Sequence, residues 1–150
     1  MKQETILISA CLIGCPCRYD GQGKETIGAA ALKERFHLVP VCPECLGGLP
    51  TPRPPAERQG NRVVNREGAD VTEAYRRGAE ETLRLARING CTTAVLKERS
   101  PSCGAGEIYD GTFRHVLTAG DGVAAALLKA HGICVVGESQ IPRLMETEEN

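Results

Sequence analysis

Three separated groups of cysteines constrain this chain more than any other feature: Cys11, Cys15 and Cys17, then Cys42 and Cys45, then Cys103. Cys91 and Cys134 stand apart. The opening stretch MKQETILISACLIGC is apolar only from Ile6, has no basic leader region and runs into charged, Cys-rich sequence, so it does not read as an export signal. The thiols are therefore expected in the reducing cytoplasm, where disulfides are rare and clustered cysteines bind metal or do chemistry. No segment approaches the roughly 18 apolar residues of a membrane span.

The groups sit in a recognisable frame. Ile6–Ser9 reads as a first strand and Ile27–Phe36 as a short helix, and Leu38–Val41 as a second strand. The following CPECLGGLPTPRPPAER carries five prolines and is expected to be irregular. Asp70 is the expected N-cap of the clearest helix, with Glu73 at the capping-box position. Val71, Ala74, Tyr75, Gly78, Ala79, Leu83 and Ala86 lie on one face of it, and Asn89-Gly90 closes it. Ala94–Leu96 is a third strand, a long loop follows with an extended excursion near Ile108, and Asp121-Gly122 starts a last helix, VAAALLKAH, ended by Gly132. Ile133–Val136 is a fourth strand.

Alternating strands and helices predict an α/β fold: a Rossmann-like parallel sheet of about four or five strands with helices on both faces. A chain of 150 residues with 41% hydrophobic content suits one domain spanning 1–150, burying about 70% of its unfolded surface. In such sheets the functional crevice lies beyond the carboxyl ends of the strands. Cys11, Cys42 and Cys103 all follow strand ends, so residues ninety positions apart converge on one edge.

Each loop also has a bland reading. In CPCRYDG, Asp20 and the glycines make an ordinary turn, and Cys11 alone is a buried small apolar group. The pair Cys42–Cys45 is half a zinc site or a redox dithiol; the second reading needs a helix N-terminus, and the Pro-rich sequence after it offers none. Glu44 is a solvated loop carboxylate, or an acid or base if a metal lies beside it. Arg53 and Glu57 read as an exposed ion pair as readily as substrate contacts, and Lys97 and Arg99 as surface charge. Ser100, Ser102 and Cys103 share a tight turn whose amides can face an anion or a cluster sulfur. Asp121 reads as a simple N-cap. Cys91 and Cys134 read as core thiols, and His37, His115 and His131 fall in none of the three loops. Any metal site is then a thiolate site, which selects zinc, copper(I) or iron-sulfur clusters.

The segments SACLIG with CRYDG, PVCPE with LGG and PR, LKERSPSCG, and GDGVAAALL with HGI together resemble the thiouracil desulfidase family, a bacterial iron-sulfur family once catalogued as a domain of unknown function. The resemblance covers nearly the whole chain, in four ordered motifs. It implies a 4Fe-4S cluster held by three cysteines, here Cys11, Cys42 and Cys103, with one iron lacking a protein ligand. The family's catalytic glutamate falls on Glu44 and its serine on Ser100, with Ser102 second; Arg18, Tyr19 and Asp20 match the CRYDG stretch and are expected near substrate. Cys15 and Cys45 are additions outside the motif.

The activity so implied is non-redox desulfuration of a thiolated pyrimidine base or nucleotide to the oxo form. Two rivals come from other classes: a zinc- or iron-sulfur-binding module without desulfidase activity, and an electron-transfer protein, which ordinarily closes its cluster with four cysteines in a compact run. With 18 basic against 19 acidic residues the chain has no global field for extended nucleic acid, and 3% aromatic content offers few stacking platforms. A small-molecule partner is expected.

Overall fold

The computed structural model describes residues 3–147. Four parallel strands make the central sheet: β1 (Thr5–Ser9), β2 (His37–Val41), β5 (Thr93–Leu96) and β8 (Cys134–Gly137), in the order β2-β1-β5-β8. Register pairs Leu7 with Val39 on one side and Ala94 on the other, and Ala94 in turn with Val135. Strand alternation then sorts β1 between two cores. Ile6 and Ile8 pack with Leu32, Phe36 and Ile141, while Leu7 points the opposite way, toward Leu83, Ala86, Ala125 and Leu128.

Helices cover both faces. On the first lie α1 (Ala29–Arg35) and α5 (Ile141–Thr147); on the second lie α3 (Thr72–Ile88) and α4 (Val123–Ala130). Helix α3 buries Tyr75, Gly78, Ala79, Leu83 and Ala86 of the expected stripe and adds Thr82, whose hydroxyl donates to the Gly78 carbonyl at 2.7 Å, while Val71 and Ala74, near its start, are only half-buried. Its start differs from expectation. Val71 is the N-cap and makes no side-chain cap bond; Asp70 instead accepts the Thr72 N–H at 2.9 Å and an ion pair from Arg62, while Glu73 pairs with Arg76. A cap contributes about 1 kcal/mol, whereas each large apolar side chain fully buried contributes about 1.5–3 kcal/mol, so packing holds this helix without one. At α4 the N-cap is Gly122, not Asp121, whose carboxylate takes the Gly106 N–H and Lys129 Nζ.

The Pro-rich stretch after β2 is more ordered than its composition predicts. A one-turn helix, α2 (Pro43–Leu46), starts with proline in its first turn, where the missing N–H costs nothing. The hairpin β3 (Ala56–Gln59) and β4 (Arg62–Asn65) turns through Gly60 and Asn61, a two-residue signal present in the sequence. A second hairpin, β6 (Glu107–Tyr109) with β7 (Leu117–Ala119), is the excursion expected near Ile108. Helix α5 was not expected, although Ile141, Leu144 and Met145 carry helical spacing. Cys91 lies in the core as expected; Cys134 is exposed. No described helix is long and apolar enough to cross a membrane.

Backbone contact fixes α2 against α3. A Cβ on Gly78 would lie 1.8 Å from the Pro43 carbonyl oxygen, and one on Gly47 would lie 2.0 Å from that of Ala74. Only hydrogens at both positions let the two helices meet this closely. The segment so pinned carries Cys42, Glu44 and Cys45.

Candidate metal centre and active site

Strand order builds the site. Because β1 lies between β2 and β5, the loops leaving the carboxyl ends of all three adjoin. Cys11 falls in the 3-10 turn Ala10–Ile13 directly after β1, Cys42 directly after β2, and Cys103 at the far end of the loop after β5. All three line one cavity of about 480 Å³, together with Glu44, Ser100 and Ser102.

Cys103 is buried and held from several sides. Ser9 Oγ donates to its Sγ at 3.4 Å and itself accepts the Lys97 N–H at 2.8 Å; Ser100 Oγ accepts the Cys103 N–H at 3.0 Å. Burial pushes the Cys11 thiol up to about 12, with the neighbouring Cys103 and Cys17 thiols adding to the effect. Burial also raises Cys42 and Cys103. Thiols bind metal as thiolates, so these three stay protonated until a bound cation offsets the desolvation, as iron does.

The donor set fits a cluster. Among the described residues no group of three or more His, Cys, Asp or Glu side chains is arranged to hold one metal ion. Three cysteines from separate loops line one cavity, a donor set that suits an iron-sulfur centre held by thiolates. A fourth cysteine, Cys17, lines the same cavity, and its backbone carbonyl accepts from Cys42 Sγ at 3.7 Å. Cys45 is exposed, its Sγ 3.9 Å from the Cys17 carbonyl oxygen, and Cys15 is not on the wall. Cys42 does cap a short helix, contrary to the expectation that none was available. Its thiol is nevertheless raised and not lowered, the opposite of what a redox dithiol needs.

Glu44 is not a solvated carboxylate. Arg53 Nε donates to its Oε1 at 2.9 Å, Ser102 Oγ donates to its Oε2 at 2.8 Å, and the buried Tyr75 hydroxyl lies beside the same carboxylate. Burial, then the adjoining carboxylate, drive the Tyr75 phenol far above its ordinary range, so it remains a neutral donor. Arg53 is buried too, and pairs with Glu44 and not with Glu57. Its guanidinium also bonds the Pro50 and Cys17 carbonyls at 3.1 and 2.9 Å, tying the first cysteine loop to the second. Burial works against the Arg53 charge, but Glu44 and the nearby thiols outweigh it and hold its pKa above the ordinary value.

Ser100 and Ser102 form a pair. Their hydroxyl oxygens are 3.0 Å apart, and Ser100 Oγ accepts the N–H groups of both Ser102 and Cys103. The Ser102 hydroxyl has one proton and faces both Glu44 Oε2 and, at 3.6 Å, Cys103 Sγ; the carboxylate is the shorter and stronger acceptor.

Arg18 and Tyr19 line the cavity, with the Arg18 guanidinium 5.9 Å from the Tyr19 ring centroid. Asp20 does not line it; its carboxylate accepts the Gln22 N–H and pairs with Arg18 at 3.8 Å. Lys97 pairs with Glu138 and, with Arg99, also borders the cavity. Residues with no motif to mark them complete the wall: Tyr75 from α3, Glu57 from β3, and Phe113 and His115 from the β6–β7 turn. Tyr75 was legible as core, but its partner was not.

Comparison with known proteins bears on this geometry. A family model described as 2-thiouracil desulfurase matches residues 6–140. The solved structure of a 4Fe-4S-dependent thiouracil desulfidase, TudS, superposes with a TM-score of 0.92 at 50% sequence identity, covering 98% of this chain and 99% of that one. The uncharacterized protein YbbK of Bacillus subtilis (strain 168) is 42% identical over 146 residues, which is 91% of this chain and 97% of that protein. With its parallel sheet, its convergent thiols and a match over nearly its full length, the chain belongs to the 2-thiouracil desulfurase family.

Proposed function

We propose that this protein is a 4Fe-4S-dependent desulfidase that converts a thiolated pyrimidine and water to the oxo pyrimidine and hydrogen sulfide, with no net electron transfer. One observation carries the reading: the Glu44 carboxylate, gripped by Arg53 and Ser102, faces the same cavity as thiols from three separate loops. Cys11, Cys42 and Cys103 are the residues that hold the cluster. When bound, the cluster supplies an iron without a protein ligand, a soft Lewis acid suited to a thiocarbonyl sulfur.

The protein's own groups do the rest. Glu44 takes the proton of the attacking water as general base; its oxygens accept from Arg53 and Ser102, which leaves acceptor capacity for the water. Ser102 links Glu44 to Ser100, whose oxygen already accepts two backbone N–H groups and whose proton is left for the substrate or for Ser102. Arg18 and Tyr19 contribute to substrate binding, and Asp20 acts by orienting Arg18.

The cavity wall supports an anionic form of the substrate. Of the five cationic side chains that line it, Arg53, Arg18 and Lys97 are paired with Glu44, Asp20 and Glu138, and Arg66 and Arg99 are left to meet an anion. A thiouridine phosphate suits that balance better than the free base. An extended nucleic acid finds no matching net charge on a chain at −1, and free thiols suit a cytoplasmic enzyme of a single domain.

The test is anaerobic reconstitution followed by assay without reductant. The holoprotein is expected to release sulfide from 2-thiouracil and, with higher kcat/KM, from a thiouridine 5′-phosphate. Strict dependence on an electron donor overturns the hydrolytic reading, and a colourless, zinc-loaded, inactive protein supports the binding-module alternative.

A further inference from the structure

Glu57 is buried, at 8% exposure, and lies on the cavity wall, yet none of the ion pairs among the described residues includes it. Its Oε1 accepts two backbone N–H groups from the turn of the second hairpin, Gly111 at 3.0 Å and Phe113 at 3.1 Å. Gln59, two positions along β3 and so on the same face, donates from Nε2 to the Gly111 carbonyl at 3.0 Å. The first hairpin therefore grips both polar groups of one glycine in the second. Gly111 accepts this grip because it has φ +95°, and a Cβ there would lie 2.7 Å from the Arg58 carbonyl oxygen.

The turn so held is strained where it meets the cavity. Phe113 and His115 both have positive φ, 59° and 60°, a region that costs a bulky residue about 1–3 kcal/mol and persists only where surrounding contacts impose it. Both side chains line the cavity. The Arg66 guanidinium sits 5.7 Å from the Phe113 ring centroid, and the His115 ring meets Tyr109 edge-on at 5.9 Å. In a chain with only 3% aromatic residues, two aromatics on this short hairpin face the reaction cavity.

We infer that Glu57 is a positioning residue that holds the Gly111–His115 turn so that Phe113 forms a flat apolar wall against the pyrimidine ring. The inference rests on the desulfidase reading and adds to it a recognition element separate from the thiols and Glu44. Carboxylate acceptance of two N–H groups fixes the turn; the ring face then supplies stacking, which tolerates any base but rewards a planar heterocycle.

The experiment measures iron content, KM, kcat and the inhibition constant of the oxo pyrimidine product for holoenzyme of four forms: wild type, Glu57→Ala, Glu57→Gln and Phe113→Leu. Glu57→Ala and Phe113→Leu are each expected to raise KM and the product's inhibition constant about tenfold, the scale of one lost base–aromatic contact, with kcat within about threefold and iron content unchanged. Glu57→Gln keeps an oxygen acceptor for both N–H groups and is expected to raise them less than Glu57→Ala. Phe113 is only half-buried, so its variant reports even if Glu57→Ala fails to fold. Unchanged KM and inhibition constant in Phe113→Leu, or a fall in kcat alone, overturns the proposal while leaving the activity standing. Wild-type holoenzyme that releases no sulfide removes the desulfidase reading and this proposal with it.

Discussion

Ser102 Oγ lies 2.8 Å from Glu44 Oε2, joining the loop after β5 to the one-turn helix after β2 across 58 positions of chain. Each partner flanks a thiol: Glu44 is two residues from Cys42 and Ser102 adjoins Cys103. The bond therefore aligns the carboxylate with two of the three cysteine-bearing loops at once. It also separates the two serines by role, since Ser100 makes its bonds to backbone N–H groups and Ser102 makes its shortest one to the carboxylate.

That separation predicts different defects. Ser102→Ala leaves Glu44 Oε2 without its donor, a loss of about 1–3 kcal/mol, so kcat is expected to fall about 5- to 150-fold with iron retained. Ser100→Ala removes the acceptor for two N–H groups, one of them that of Cys103, so it is expected to lose iron faster under chelator challenge as well as lose rate. Iron release rates measured beside turnover separate the two; identical profiles contradict the assignment.

The cysteines divide in the same measurable way. Anaerobic reconstitution is expected to load about four irons per chain. Changing Cys11, Cys42 or Cys103 to Ala is expected to abolish loading. Cys134, which is exposed, and Cys91, packed in the core away from the cavity, are expected to be dispensable for it. Cys17→Ala is expected to load fully, because three thiolates suffice. Full occupancy after loss of Cys103 refutes the ligand set.

Gly78→Ala tests the seat of the second loop. The added methyl falls 1.8 Å from the Pro43 carbonyl oxygen, which is backbone and cannot rotate away. Overpacking of this kind costs about 1–3 kcal/mol, and relief requires α2 to move off α3, carrying Cys42 and Glu44 with it. Denaturant midpoint and iron content are both expected to fall; a lowered midpoint with wild-type loading and rate shows that α2 does not position the site.

Much of this arrangement was legible in the chain. Strand–helix alternation is a period signal that survives without tertiary knowledge, and Cys11 and Cys42 stand directly after apolar β-branched runs. Composition misled where it outweighed pattern. Five prolines hid a one-turn helix that begins with proline, and hid the Gly60–Asn61 turn of a hairpin that brings Glu57 to the cavity. Partners across the sheet edge were not legible at all. Arg53 sits nine residues from Glu44 and only four from Glu57, and sequence distance gives no reason to prefer the first. Burial decides it: Glu57 meets its bonding need with backbone N–H groups, while Glu44 is left to balance a buried guanidinium.

That pairing shapes the sharpest test, Glu44→Gln. The carboxylate is a hard ligand and three thiolates are proposed to hold the cluster without it, so the variant is expected to load iron with an unchanged absorbance spectrum. An amide cannot take the water proton, and general base catalysis contributes about 10²- to 10⁴-fold, so turnover is expected to drop by that factor. The structure adds a second consequence. Arg53 has a nearly buried side chain, 5% exposed, and loses its only carboxylate partner among the described residues, which for a buried pair costs about 3–5 kcal/mol of stability. The variant should therefore melt at lower temperature while remaining folded under assay conditions. Iron content, spectrum, melting temperature and kcat belong on one preparation, because partial unfolding or cluster loss both imitate a catalytic defect. Near-normal turnover with a full cluster removes Glu44 from the chemistry. A lost cluster in a folded protein makes it a structural residue, with Arg53 as the group whose charge it was placed to balance.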